Sequence, residues 1–405
     1  MPHAEPETVL VTLTGPDRPG VTTQLFAALG QGADSTVLDV EQVVIRGQLV
    51  LGVLLGGAHE DDVRAAAATV ADRLGMTVTV SAGAAEADPR RTGRVHVTVL
   101  GLPLRPHVVS ALAGRIAGLG ANIDRIVRLS SYPVTSVELE VSGADPGELR
   151  TALAQEAAAQ AVDVAVEPSG LHRRAKRLVV MDVDSTLIQG EVIEMLAEEA
   201  GCLPEVAAIT EAAMQGELDF STSLRRRVAL LEGLPESALE AVRSKVVLSP
   251  GARTLIRTLK RLGFEVALVS GGFTQVIGGL VAELGIDHSA ANTLEVRDGH
   301  LTGALVGEIV DREGKAKALQ RFAAAAGVPV SQTVAIGDGA NDLDMLAQAG
   351  LGIAFNAKPL VRQAADASVT VPYLDTVLYL LGISREEIEE ADAAEGTPTP
   401  APPLD

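Results

Sequence analysis

The chain has 405 residues, with 33 lysines and arginines against 53 aspartates and glutamates, a formal charge of −20. That length exceeds one ordinary domain and predicts two or three, and the acidity disfavours nucleic acid and anionic membranes as partners. Apolar residues make up 47% and aromatics only 2%, so the cores must be built from Val, Leu, Ile and Ala.

Residues 1–7 lack the basic start and apolar centre of a signal peptide, and no apolar run reaches the ~20 residues of a membrane helix. The single cysteine, Cys202, has no intramolecular disulfide partner and reads as a packing residue. Together these features predict a cytoplasmic protein.

In chain order, residues 8–14 alternate Val9, Val11 and Leu13 and predict a strand. A helix over 21–29, strands over 37–45 and 49–55 joined at Arg46-Gly47, a helix over 61–74 and a strand over 77–80 follow. An Ala/Gly-rich linker spans 81–92. The same order then recurs: 94–100, 108–119, 123–130, 135–141, 146–160 and 162–167. This is an internal βαββαβ repeat, the ferredoxin-like arrangement, with domains expected at 7–82 and 93–168. Each opening strand is followed by a Gly/Pro turn, Gly15 to Gly20 in the first copy and Gly101 to Pro106 in the second.

The basic segment 172–177 reads as a solvated hinge. Beyond it the pattern becomes α/β, with near-continuous apolar strands over 178–183, 265–270, 333–337 and 351–355 that suit a parallel sheet covered on both faces. From about residue 391 the Thr/Pro-rich composition predicts a disordered tail.

Polar clusters close these strands. Asp182 and Asp184 are two residues apart, so a strand would project both from its C-terminal end, where open α/β sheets bind ligands. Ser270-Gly271-Gly272 offers a hydroxyl and two close-approach amides for a phosphate. Lys315 or Lys317 opens a helix with an ammonium, and Gly337-Asp338-Gly339-Ala340-Asn341-Asp342 adds carboxylates and an amide. Hard oxygens from Asp182, Asp338 and Asp342 suit Mg²⁺. A carboxylate nucleophile and a carboxylic acid/base beside it fit phosphoryl transfer.

This set resembles the haloacid dehalogenase superfamily, and more narrowly its phosphoserine phosphatases. It covers roughly residues 176–384 of a domain expected at 176–386, with Asp182-Val183-Asp184-Ser185-Thr186, Ser270-Gly271-Gly272-Phe273 and the segment 337–342 among its specific motifs. The resemblance implies a Rossmannoid parallel sheet with a helical cap over about 191–245. It implies Asp182 as nucleophile, Asp184 as acid/base, and Ser270, Gly271 and Lys315 as phosphate contacts. Mg²⁺ would sit on Asp182, the Asp184 carbonyl and Asp338, with Asp342 behind them. Glu191, Arg227, Phe220, Met214 and Asn341 would hold phosphoserine, and the reaction would be the last step of serine biosynthesis.

The repeats resemble ACT domains, which implies an amino-acid effector, with serine the candidate, and at least a homodimer. Gly15, Asp17, Gly20 and Gly101 mark the candidate regulatory site. In the second copy Pro103 and His107 replace Asp17 and Gly20, which leaves a structural role open there. Two other readings stand beside the leading one: a phosphatase or phosphotransferase for another small phosphomonoester, and an amino-acid sensor with a vestigial catalytic domain.

Overall fold

The computed structural model describes residues 8–31, 35–83, 93–214, 217–397 and 399, apart from the side chains of His172 and Met214. The chain divides into two compact units between residues 91 and 92.

In the first unit β1 (Thr8–Pro16), β2 (Thr36–Ile45), β3 (Gln48–Gly56) and β4 (Thr77–Gly83) form an antiparallel sheet in the order β2-β3-β1-β4. Val9, Val11 and Leu13 on β1 and Leu49, Leu51, Val53 and Leu55 on β3 face one side, as a period of two requires. The helices Val21–Leu29 and Glu60–Leu74 cover that side with Leu25, Val63 and Ala67. Every residue of the edge strand β2 is exposed.

In the second unit β5 (Val95–Gly101), β6 (Asn122–Ser130), β7 (Thr135–Ser142) and β8 (Asp163–Pro168) repeat this topology, with helices Pro106–Gly118 and Pro146–Gln160 on one face. Next come β9 (Leu178–Asp182), β10 (Glu265–Phe273), β11 (His288–Arg297), β12 (His300–Val306), β13 (Thr333–Gly337), β14 (Leu351–Phe355) and β15 (Ala367–Val369). Strands β10, β9, β13, β14 and β15 are parallel neighbours. Leu178 and Val180 enter one core and Val179 and Met181 the other, so β9 is apolar throughout because it is covered on both faces.

The two halves of this unit share one sheet of eleven strands, ordered β12-β11-β10-β9-β13-β14-β15-β8-β5-β7-β6. The join is the antiparallel pairing of β15 with β8 at Ala367 and Ala165. Buried Asp163 reinforces it, accepting from the Thr370 N–H at 2.7 Å, the Thr370 hydroxyl at 3.0 Å and the Ser368 hydroxyl at 3.1 Å.

Two expectations are corrected here. The basic segment is not a solvated hinge: Arg173 pairs with Glu138 and Glu167, and buried Lys176 donates to the Ser331 carbonyl at 3.0 Å. Nor does the chain lose order at residue 391. A helix runs Arg385–Ala394, opened by a Ser384/Glu387 capping box. Buried Asp392 pairs there with Arg257 and Arg261, both at 2.6 Å. Residues 398 and 400–405 of the expected tail lie outside the described residues.

Candidate active site

Asp182 ends β9 at the carboxyl edge of the sheet, and the tight turn after it holds Ser185 at φ 55°. Lys315 Nζ lies 2.8 Å from Asp182 Oδ2 and 2.7 Å from Asp342 Oδ1, fully buried. The helix Arg312–Ala325 delivers this lysine, with Asp311 capping its start through the Gly314 N–H at 2.9 Å. Lys317 is 68% exposed and pairs with Glu313, so Lys315 is the lysine at the cluster.

Asp184 is held by other partners. One oxygen accepts the Val192 N–H at 2.7 Å, at the start of the first cap helix, and the other accepts the Ser270 hydroxyl at 3.0 Å. The Gly272 N–H donates to Ser270 Oγ at 2.7 Å. A Cβ at Gly272 would come within 3.0 Å of both Ser270 Oγ and Asp184 Oδ2, which explains the glycine.

Asp338 follows β13 and accepts the Thr186 hydroxyl at 3.0 Å, while Asp342 Oδ2 accepts the Gly339 N–H at 3.0 Å. Asn341 turns back over Gly339. Asp182, Asp338 and Asp342 each present an oxygen within 4.8 Å of the others. Three carboxylates thus crowd together, with one ammonium paired to two of them, and a divalent cation fits that imbalance and the all-oxygen donor set.

The electrostatics follow from this crowding. Burial, and then the Asp342 charge, push Asp182 well above the usual carboxylate range against the pull of Lys315. Burial likewise raises Asp184, and raises Asp338 to about 6 with help from Asp342. Burial works to lower Lys315, but Asp182 and Asp342 outweigh it and hold the ammonium charged.

Helices Val192–Ala200, Leu203–Met214, Phe220–Ala229 and Ser237–Lys245 form the insertion between β9 and β10. At its base Ile188 bridges Leu248, and the Ser249 hydroxyl donates to the Thr186 carbonyl at 2.6 Å. Phe220 reaches down to Gly271, where a Cβ would lie 3.1 Å from the ring. Arg227 is buried; its Nη1 meets Thr210 Oγ1 at 3.4 Å and its Nε has no hydrogen-bond partner among the described residues. Glu191 sits just before the first cap helix, raised to about 7 by burial and then by Asp184. Arg225 and Arg226 are exposed, as a helix surface requires. Met214, expected beside them, has its side chain outside the described residues.

The cluster therefore brings together Asp182, Asp184, Ser270, Lys315, Asp338 and Asp342, with Gly271 meeting Phe220 from the cap. Gly15, Asp17 and Gly20 lie in the first unit, where the Asp17 N–H donates to the Gly47 carbonyl at 2.8 Å and Gly20 takes φ 89°. Gly101 lies in the second repeat, with Leu104 filling the space beside it: a Cβ there would meet Leu104 Cα at 2.8 Å. Sequence reasoning named neither Thr186 nor Ser249 for a role of its own. Thr186 lies inside a quoted motif, whereas Ser249 shows no signal beyond its place where the cap insertion ends.

A family model for haloacid dehalogenase-like hydrolases matches residues 179–347. The chain is 60% identical to phosphoserine phosphatase of Streptomyces coelicolor, covering 95% of this chain and 94% of that protein. It is 55% identical to phosphoserine phosphatase SerB2 of Mycobacterium tuberculosis, covering 96% of each. The chain belongs to the phosphoserine phosphatase family. As a phosphoserine phosphatase family member it carries two ACT domains, matched at residues 7–81 and 94–167. The unliganded structure of a probable phosphoserine phosphatase from Vibrio cholerae is also similar, with TM-score 0.56 and 35% identity. That match covers 74% of this chain and 88% of the other.

Proposed function

We propose that this protein hydrolyses O-phospho-L-serine to L-serine and phosphate through a phosphoryl group carried transiently on Asp182. The observation that carries this reading is Asp182 held 2.8 Å from a buried ammonium, beneath a cap whose buried guanidinium keeps an N–H without a partner among the described residues. Ser270 and the glycine amides after it, with Lys315, cradle the phosphate as Asp182 attacks phosphorus. Asp184, raised by burial, delivers a proton to the serine oxygen as it leaves. The same carboxylate then takes a proton from the water that reopens the acyl phosphate. Arg227 receives the substrate carboxylate and Glu191, ionised, its ammonium, since buried charges require partners. Mg²⁺ held by Asp182, the Asp184 carbonyl and Asp338 would offset charge on the phosphoryl oxygens. The Phe220 ring over Gly271 excludes bulk water.

The ACT domains support an amino-acid effector, serine first among candidates, at the Gly15–Gly20 turn, and assembly into at least a dimer. A cytoplasmic enzyme of serine synthesis is the setting that fits. The test is phosphate release from O-phospho-L-serine with Mg²⁺, with and without EDTA, and with L-serine titrated in. EDTA-sensitive release is expected. Release from another phosphomonoester but none from phosphoserine would overturn the substrate assignment.

A further inference from the structure

The phosphate-binding segment is a defect in its own sheet. Strand β10 pairs with β11 at Val269 with Ala290 and again at Phe273 with Asn292, so three β10 residues, 270–272, stand opposite one on β11. A bulge of that kind loses ladder hydrogen bonds and needs another device to fix its shape. Asn292 is that device. It is buried, its amide N–H donates to the Gly271 carbonyl at 2.8 Å, and its amide oxygen accepts the Val310 N–H at 2.8 Å. Val310 immediately precedes Asp311, which caps the lysine-bearing helix; the Asp311 carbonyl also accepts the Lys315 N–H at 2.8 Å.

One planar side chain therefore ties the Ser270-Gly271-Gly272 bulge to the root of the Lys315 helix. These two segments are far apart in sequence and would hold opposite sides of the same phosphate. We propose that Asn292 is a positioning residue that sets the spacing between the Gly271–Gly272 backbone and the Lys315 ammonium, and so the affinity of the site for the phosphoryl group. This rests on the phosphatase reading above. Both amide functions are used, so neither Asp nor Ala reproduces them. Asp keeps the acceptor for Val310 but offers no donor to Gly271 when ionised, and Ala removes both bonds.

The experiment compares full-length wild type with Asn292→Asp and Asn292→Ala. The readouts are the inhibition constant of inorganic phosphate, KM and kcat on O-phospho-L-serine, the Mg²⁺ concentration for half-activation, and the thermal midpoint. Positioning predicts a phosphate inhibition constant about 10-fold or more above wild type, with a matching fall in kcat/KM and unchanged Mg²⁺ half-activation. A side chain that served stability alone would lower the midpoint and leave phosphate affinity of the folded enzyme intact. Wild-type phosphate inhibition in either folded variant overturns the proposal, and so does failure of both variants to fold. Wild type that neither turns over phosphoserine nor is inhibited by phosphate refutes instead the functional reading beneath it.

Discussion

Replacing Arg227 by Met tests the recognition of a zwitterionic substrate and keeps most of the side-chain volume. The guanidinium is buried, with one long contact to Thr210 at 3.4 Å and an Nε that has no acceptor among the described residues. Little of its hydrogen-bonding capacity is therefore used among the described residues. Two charge-assisted bonds to a substrate carboxylate, at about 1.5 kcal/mol each, amount to about 3 kcal/mol. That corresponds to a roughly 100-fold loss in kcat/KM on O-phospho-L-serine. A substrate without a carboxylate, p-nitrophenyl phosphate, has nothing to lose there and should fall by less than about threefold. Phosphate release from both substrates, at matched Mg²⁺ and with thermal midpoints recorded, gives the comparison. Equal losses on the two would refute the reasoning, because they would place Arg227 in the fold or in the reacting centre.

Asp182→Asn removes the proposed nucleophile at nearly constant volume and should abolish turnover while leaving far-UV circular dichroism unchanged; a tenth of wild-type activity would sink the assignment. Glu191 is raised to about 7, so in the free enzyme it is neutral below that pH and charged above it. kcat/KM for phosphoserine should then rise through about pH 7, and Glu191→Gln should flatten that limb. Asp392 is lowered to about 2, because Arg257, Thr399 and Arg261 outweigh its burial. A depressed folded value contributes stability above the unfolded value of about 4 and loses it as pH falls towards 2. Asp392→Ala should cost about 3 kcal/mol at pH 7 and much less at pH 2, read by urea titration.

The sequence was readable where one physical signal acted alone. Apolar β9 ending in Asp182 announces a buried strand with a polar terminus, although Asp184 lies in the turn beyond it, and Val9, Val11 and Leu13 announce a half-covered one. Lys315 and Lys317 are equivalent by composition and separate only once one is buried against Asp182 and the other paired with Glu313 at the surface. Asn292 was invisible because its partners are backbone groups at Gly271 and Val310, which leave no trace in side-chain chemistry. The last helix hid behind a polar run with a single buried isoleucine, Ile388, although Ser384 and Glu387 form a capping pattern that could have been found. Arg173 reads as a hinge residue because Glu138 and Glu167, which neutralise it, lie 35 and 6 positions away.

The three-residue strand β15 would be the raw rim of the catalytic sheet, and β8 the raw rim of the second ACT domain. Each rim is sealed by the other. An exposed rim is a template for pairing with foreign chains, and proteins generally blunt it with charge, proline or a covering element. Severing the chain between β8 and β9 would open both rims at once and strip Asp163 of its Thr370 and Ser368 donors. Two such fragments, made separately, should be aggregation-prone alone and should find each other when mixed. The second ACT domain is thus a selvedge for the catalytic domain.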